Sequence, residues 1–481
     1  MGRRIIFGLV LLLSLPFCRK EESQDKEIMG LLIANLLYTP YEKITPEAGT
    51  ITIPGVASAN GYDNRTYTPS CSGLNGDKTF SFFRKKRMAA NKKLLINFMG
   101  GGACWSGYNC FGDETTTHFS LFGAPDFVLK FVFQGITNEN NPSNPFKDYD
   151  VIFIPYCTAD LHFGTMSGNN VYTNLKTGLD QEVNHRGHEN LLSVMKYIQS
   201  EYTGVEQVFV AGQSAGGYGA LLNYPVIRET FTQINATIQM GLLVDAANGV
   251  VPVGFLATVN NVWGMNPPTW VGTIAANYFT IGSIEDYFTQ VANQYPTDQM
   301  GQYTALFDGA QRFFYHTMIV IAGNPPYTDA AVGDPFDAGK TYSALFGDMD
   351  GSTVPDGMLG ANDGSTCDWS GKAVNSMKAV ITAGVANYSY YIGPGDVHTI
   401  TSSDKMYFLN STGINFVNWM TQLANGNNGG QVRCLSGGFL NCGNSNLNSN
   451  SINSNLGTAT SDESFPLGRN LLTKCNPASY L

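Results

Sequence analysis

Val208-Phe209-Val210-Ala211-Gly212-Gln213-Ser214-Ala215-Gly216-Gly217 constrains the fold of this chain more than any other stretch. An apolar, β-branched run suited to a buried strand breaks into Gly-x-Ser-x-Gly, and a small-residue helix start follows. That layout predicts a serine on a strained strand-to-helix turn, a nucleophile elbow. Glycines are needed on both sides because the tight turn leaves no room for Cβ atoms beside the serine. The helix that follows would direct its free N–H groups and positive dipole end toward the place where an oxyanion forms. A chain with 53 glycines meets the bare pattern by chance easily, so the flanking strand and helix carry the inference.

An elbow needs a sheet behind it. Buried-strand candidates recur at Lys93–Phe98, Asp150–Pro155, Gln207–Ala211, Gly241–Val244, Thr317–Ala322 and Tyr388–Ile392. Helical patterns lie between several of them, including Asn190–Tyr202 and Ala215–Glu229. Continuous apolar strands alternating with helices predict an α/β fold, an α/β-hydrolase-like three-layer sandwich with a mostly parallel central sheet. Composition is even from Thr50 to about Leu423 and no repeat is visible, so residues 49–425 read as one domain. Residues 426–481 read as an Asn/Ser/Gly-rich C-terminal tail with little to bury, ordered where cysteines pin it.

The first residues point to export. Arg3 and Arg4 precede an apolar run from Ile5 to Leu13, which is too short for a membrane span and suits a secretory signal. Leu15-Pro16-Phe17-Cys18 resembles the end of a bacterial lipoprotein signal, in which Cys18 becomes the lipidated residue; Phe17 departs from the small residue usual there. Residues 1–18 are therefore expected to be a lipoprotein-type signal peptide and 19–48 a polar tether. The expected location is a bacterial membrane, periplasmic or cell-surface, reached only through a lipid anchor, with the protein otherwise secreted and monomeric. Without Cys18, eight of the nine cysteines remain, and in an exported chain disulfides are the default. No Cys/His array has zinc-site spacing. The net charge of −10 with no basic patch speaks against a nucleic-acid partner and fits neutral polymers or small esters.

A serine nucleophile needs a base within reach and an acid behind the base, and on such sheets the chain order is Ser, Asp or Glu, His. Only His316 and His398 follow Ser214. His398 lies in the turn-rich Gly393-Pro394-Gly395-Asp396-Val397-His398-Thr399 after a strand, where a base belongs, whereas His316 lies on an apolar helical stretch. For the acid, Asp245 ends an apolar strand, and Asp308 and Asp350 both sit beside glycine, where an aspartate is most often a turn or cap residue. Residue chemistry leaves Asp308 and Asp350 level. Leu94–Met99 runs into Gly100-Gly101-Gly102-Ala103-Cys104-Trp105, a turn able to aim a bare N–H of Gly101 or Gly102 at a reacting carbonyl, with Ala215 as the second donor. No P-loop lysine follows it. Trp105 beside this turn, and Asp160 and His162 after a strand end, are candidate pocket-lining residues. His185 and His188 flank a helix start and are expected to be caps or solvated side chains. Asp348-Met349-Asp350-Gly351 lacks the spaced ligands and closing glutamate of a calcium loop, so neither metal nor cofactor is assigned.

Four motifs in order resemble the pectin acetylesterase/Notum carboxylesterase family: Gly100-Gly101-Gly102-Ala103-Cys104-Trp105 with Cys110, Pro155-Tyr156-Cys157-Thr158-Ala159-Asp160, Gly212-Gln213-Ser214-Ala215-Gly216-Gly217, and Phe307-Asp308-Gly309-Ala310-Gln311. The resemblance implies Ser214 as nucleophile, Asp308 as acid and His398 as base, which breaks the tie with Asp350. It also implies Cys104–Cys110 and Cys71–Cys157 bridges, and leaves Cys367, Cys434, Cys442 and Cys475 with three possible pairings. Two departures are a Gly/Asp-rich insertion around Gly333–Gly364 and the lack of cysteines flanking His398. The function expected is a serine carboxylesterase removing O-acyl groups, foremost acetyl, from a carbohydrate or related substrate through an acyl-enzyme. The alternatives are a catalytically inactive surface lipoprotein binding carbohydrate or host ligands, and a lipase-like hydrolase using Asp350.

Overall fold

The computed structural model describes residues 41–73, 77–87, 91–111, 134–166, 170–174, 177–252, 255–272, 284–322, 363–395, 397–436, 439–440 and 475–481. Cys18, Asp350, Cys442 and residues 333–362 of the insertion lie outside these residues. One sheet organises the unit from Glu42 onward. Its strands are β1 (Glu42–Ile44), β2 (Phe82–Lys85), β3 (Lys93–Phe98), β4 (Asp150–Ile154), β5 (Gln207–Gln213), β6 (Gln239–Asp245), β7 (Gln299–Ala305), β8 (Tyr388–Gly393) and β9 (Gln431–Val432). They are ordered β1-β2-β4-β3-β5-β6-β7-β8-β9. The β1–β2 and β2–β4 pairs are antiparallel and all others parallel. The fold is the α/β-hydrolase-like three-layer sandwich expected.

The longer helices among the described residues are α1 (Gly187–Glu201), α2 (Ala215–Ile234), α3 (Phe255–Trp263), α4 (Ile284–Gln294), α5 (Gly309–Ala322), α6 (Asp363–Thr382) and α7 (Phe416–Ala424). Side chains alternate across each strand, so β5 feeds two layers. Val208 and Val210 join the main core under α1 and α2, while Phe209 faces the other way onto Phe146, ring centroids 4.7 Å apart. On that second face Leu423 of α7 sits directly over Gly301 of β7. The chain leaves β3 toward β4 and leaves β5 toward β6 on the opposite side, so the crevice beyond the carboxyl ends of β3 and β5 is the natural place for a site.

Three expectations need correction. Thr317–Ala322 is helix, not strand: it continues α5, which starts at Gly309. The strand in that region is Gln299–Ala305, whose glutamines hid it; Gln302 is buried between the Tyr388 hydroxyl, 2.7 Å from Oε1, and the Ala247 carbonyl. The sheet also takes in Glu42–Ile44 and Gln431–Val432, from the stretches assigned to tether and tail, because strands of two or three residues at a sheet edge leave almost no periodicity to read. Within the tail, Cys475 is bridged to Cys367 on α6, and Cys434 is bridged as well. Cys71–Cys157 and Cys104–Cys110 are both present.

Candidate active site

Ser214 stands between β5 and α2 with φ 55° and ψ −123°, a conformation that costs a non-glycine residue of order 1–3 kcal/mol and persists only where its surroundings enforce it. The surroundings do so by close approach. A Cβ on Gly212 would lie 2.0 Å from the Gly216 carbonyl oxygen, and one on Gly216 would lie 2.2 Å from that of Phe98. The Ser214 N–H donates to the Asp245 carbonyl at 2.8 Å, which ties the elbow to β6.

His398 comes from the loop after β8 and Asp308 from the loop after β7. His398 Nδ1 lies 2.8 Å from Asp308 Oδ1 and 3.0 Å from Oδ2. Asp308 is fully buried and also caps α5, accepting from the Gln311 N–H at 2.9 Å on Oδ1 and from Gln311 Nε2 at 3.1 Å on Oδ2. Burial of the His398 ring works against its charged form, but the Asp308 charge and hydrogen bonds, with help from Asp245, outweigh it and hold the pKa above the ordinary value of 6.5. The other acids part here: Asp245 faces Ile400 and Thr401, and Asp350 lies outside the described residues.

The glycine turn after β3 has φ +155° at Gly101 and +72° at Gly102. It is held at both ends. Upstream, His162 Nε2–H donates to the Met99 carbonyl at 2.7 Å. Downstream, the Cys104–Cys110 bridge spans Cα atoms 5.2 Å apart. Trp263 Nε1 donates to the Cys104 carbonyl at 2.8 Å, and Asn109 Oδ1 accepts from the Trp105 and Ser106 N–H groups at 2.8 and 2.9 Å.

Ser214, Ala215, Gly102 and His398 share the wall of one cavity of about 90 Å³ with Trp105. That is several times the roughly 10–15 Å³ a water molecule requires. The rest of the wall is mainly apolar: Leu161, Val250, Phe255, Leu256, Trp263 and Met318 are representative. Asp160 and His162 do not line it. Ala159, Leu161 and His162 all have left-handed φ, between 53° and 58°, and this winding points Leu161 at the cavity and its neighbours inward. Asp160 is wholly buried and accepts from Thr158 Oγ1 at 2.6 Å and from the His162, Gly164 and Gly187 N–H groups at 3.1, 3.2 and 2.7 Å. Burial pushes its carboxyl up to about 6 and the His162 imidazole down to about 4. His185 and His188 are likewise buried rather than solvated. His188 bonds the Tyr62 hydroxyl at 2.9 Å and Asn223 Oδ1 at 2.7 Å. Among the described residues no group of three or more His, Cys, Asp and Glu is arranged to hold a metal.

The pectinacetylesterase family profile matches residues 67–255, which include the glycine turn, Cys71, Cys157 and Ser214 but neither Asp308 nor His398. The palmitoleoyl-protein carboxylesterase NOTUM of Schmidtea mediterranea is 30% identical over 145 residues, 30% of this chain and 25% of that protein. The NOTUM protein of Mus musculus is 27% identical over 165 residues, 34% of this chain and 31% of that one. The aligned segment thus spans only about a quarter to a third of those relatives. The crystal structure of the Wnt deacylase Notum from Drosophila superposes with a TM-score of 0.49 at 14% identity, over 79% of this chain and 93% of that one. Over residues 67–255 the chain is therefore similar to the pectin acetylesterase/Notum family.

Proposed function

We propose that the protein is a serine carboxylesterase working through an acyl-enzyme. Ser214 Oγ attacks the ester carbonyl while His398 Nε2 takes its proton, and Asp308 holds the ring with Nδ1–H turned away from the serine. The N–H groups of Ala215 and of Gly101 or Gly102 stabilise the tetrahedral oxyanion; each such donor is worth roughly 3–4 kcal/mol of barrier. His398 then protonates the leaving alkoxide, and a water deprotonated by the same ring releases the acid. No cofactor enters. The supporting observation is that Ser214 and His398 face one cavity while the buried Asp308 carboxylate chelates the far side of the His398 ring. The substrate is an O-acyl ester of a carbohydrate or related alcohol, met outside the cytoplasm by a protein anchored through Cys18.

For the acyl group we propose a chain longer than acetyl. Two carbons leave most of an apolar cavity unfilled, whereas each further buried methylene contributes about 0.8 kcal/mol, close to fourfold in kcat/KM. The named activity of the NOTUM relatives, on a palmitoleoyl ester, agrees with an apolar acyl site. Labelling with a fluorophosphonate, lost in Ser214→Ala, and a series of nitrophenyl esters from acetyl upward test the reading. We expect labelling of Ser214, kcat lowered by several orders of magnitude in the folded variant, and kcat/KM rising from acetyl through hexanoyl. A folded Ser214→Ala protein that keeps its turnover ends the mechanism, an unlabelled wild type favours an inactive binding protein, and a series that peaks at acetyl restores the acetylesterase reading.

A further inference from the structure

Asp245 stands outside the triad yet touches both sides of it. Its main-chain carbonyl accepts the Ser214 N–H at 2.8 Å. Its carboxylate reaches the base's loop: Oδ2 accepts from the Thr401 N–H at 2.7 Å and Thr401 Oγ1 at 2.5 Å, and Oδ1 from the Ile400 N–H at 3.2 Å. Thr401 Oγ1 also accepts from Gln213 Nε2 at 3.0 Å, and the same nitrogen donates to Asn97 Oδ1 on β3 at 2.8 Å. One chain of polar groups therefore links β3, the elbow, β6 and the His398 loop. Within that loop Thr399 is left-handed, φ +63°, so Ile400 and Thr401 are the first residues past a strained turn beside the base. A wholly buried carboxylate is costly, and three converging donors beside a base are more than packing alone requires.

We propose that Asp245 is a positioning residue that fixes the nucleophile's backbone and the base's loop to one point, and that its negative charge is a second counter-ion to protonated His398. This rests on the triad proposed above. Among the described residues, the charged groups acting on the His398 ring are Asp308, after β7, and Asp245, at the end of β6. Of the neutral titratable groups, Tyr218 on α2 shares the cavity wall. Burial pushes the Asp245 carboxyl up to about 6, against the Thr401 and Ile400 hydrogen bonds, so it is ionised where His398 titrates.

The test compares wild type, Asp245→Asn and Thr401→Val by kcat, KM, the pH profile of kcat/KM and NMR titration of the His398 ring. Asp245→Asn should lower kcat about ten- to a hundredfold through misplacement, with KM unchanged. Removing an anion disfavours the protonated ring, so both the acid limb and the ring titration should move to lower pH. A purely structural loss lowers the amplitude and leaves the limb in place. Thr401→Val removes the bridging hydroxyl but keeps the charge, and should lower kcat several-fold with the limb unmoved. A folded Asp245→Asn protein with unchanged kcat and unmoved His398 titration overturns the proposal. If that variant does not fold, undiminished kcat in Thr401→Val overturns it. If the wild type hydrolyses no ester and takes no fluorophosphonate, the triad reading has failed, and an unmoved ring titration in Asp245→Asn still rejects the second counter-ion.

Discussion

At Asp308 each carboxylate oxygen has two duties: Oδ1 faces both His398 Nδ1 and the first-turn N–H of α5, and Oδ2 faces His398 Nδ1 and Gln311 Nε2. An amide cannot accept at both oxygens. Asp308→Asn should therefore turn the imidazole to the wrong tautomer and lower kcat by about 10⁴, with a weakened cap costing about 1 kcal/mol. Asp350→Asn should be mild by comparison in the same assay. Because His398 titrates above 6.5, kcat/KM of the wild type should fall as pH drops through a value above 6.5. Without the Asp308 charge the residual activity should persist to lower pH. At this scale the gathering of Ser214, the glycine turn and His398 at one cavity was legible, since each is a rare residue type in a distinctive local context. The partner of His398 was not, because Asp beside Gly serves equally as a cap, and Asp308 is a cap too. Asp160 and His162 misled for a different reason: their direction is decided by left-handed backbone at 159, 161 and 162, which side-chain chemistry does not announce.

The turn after β3 carries consecutive glycines and would be mobile if left alone. His162 holds it upstream and the Cys104–Cys110 bridge downstream. The bridge separates its cysteines by only 6 positions, so its contribution to folding should be at the small end of the disulfide range. Misaiming one oxyanion donor, by contrast, can cost about a hundredfold in rate. Cys104→Ser with Cys110→Ser should thus lower kcat far more than Tm; a variant that melts early yet keeps full turnover per folded molecule contradicts this role. Elements were readable where burial leaves an unbroken apolar run, as in β3, β5 and β8. They were not readable where polar residues are buried by mutual hydrogen bonding, as in β7, or where an apolar run carries on a helix already begun, as in α5.

In the sheet the carboxyl ends of β3, β5, β6, β7 and β8 lie side by side, and each delivers one part of the proposed site. The packing beneath them includes buried, neutral histidines. His188 titrates at about 4 in the fold, because burial opposes its charge, against an ordinary 6.5. The unfolded chain therefore binds this proton first, and from about pH 6.5 down to about 4 His188 costs about 1.4 kcal/mol of stability per pH unit. His188→Gln lacks this linkage. Its deficit relative to wild type should shrink by about 2 kcal/mol between pH 6.5 and 5, measured by urea unfolding at both; a constant deficit contradicts the buried neutral state. The sheet and its layers were legible from strand–helix alternation, whereas the strand order was not, because pairing is decided by contacts between residues far apart in the chain. That order has a consequence in time. The chain is made in the order of its numbering, so β3, β5 and β6, with the glycine turn and Ser214, are complete while the residues for β7 and β8 are still to come. A growing chain can thus shape the wall beside Ser214 before residue 398 exists, and the proposed triad is complete only at the end, when the residue at 398 docks against the residue at 308.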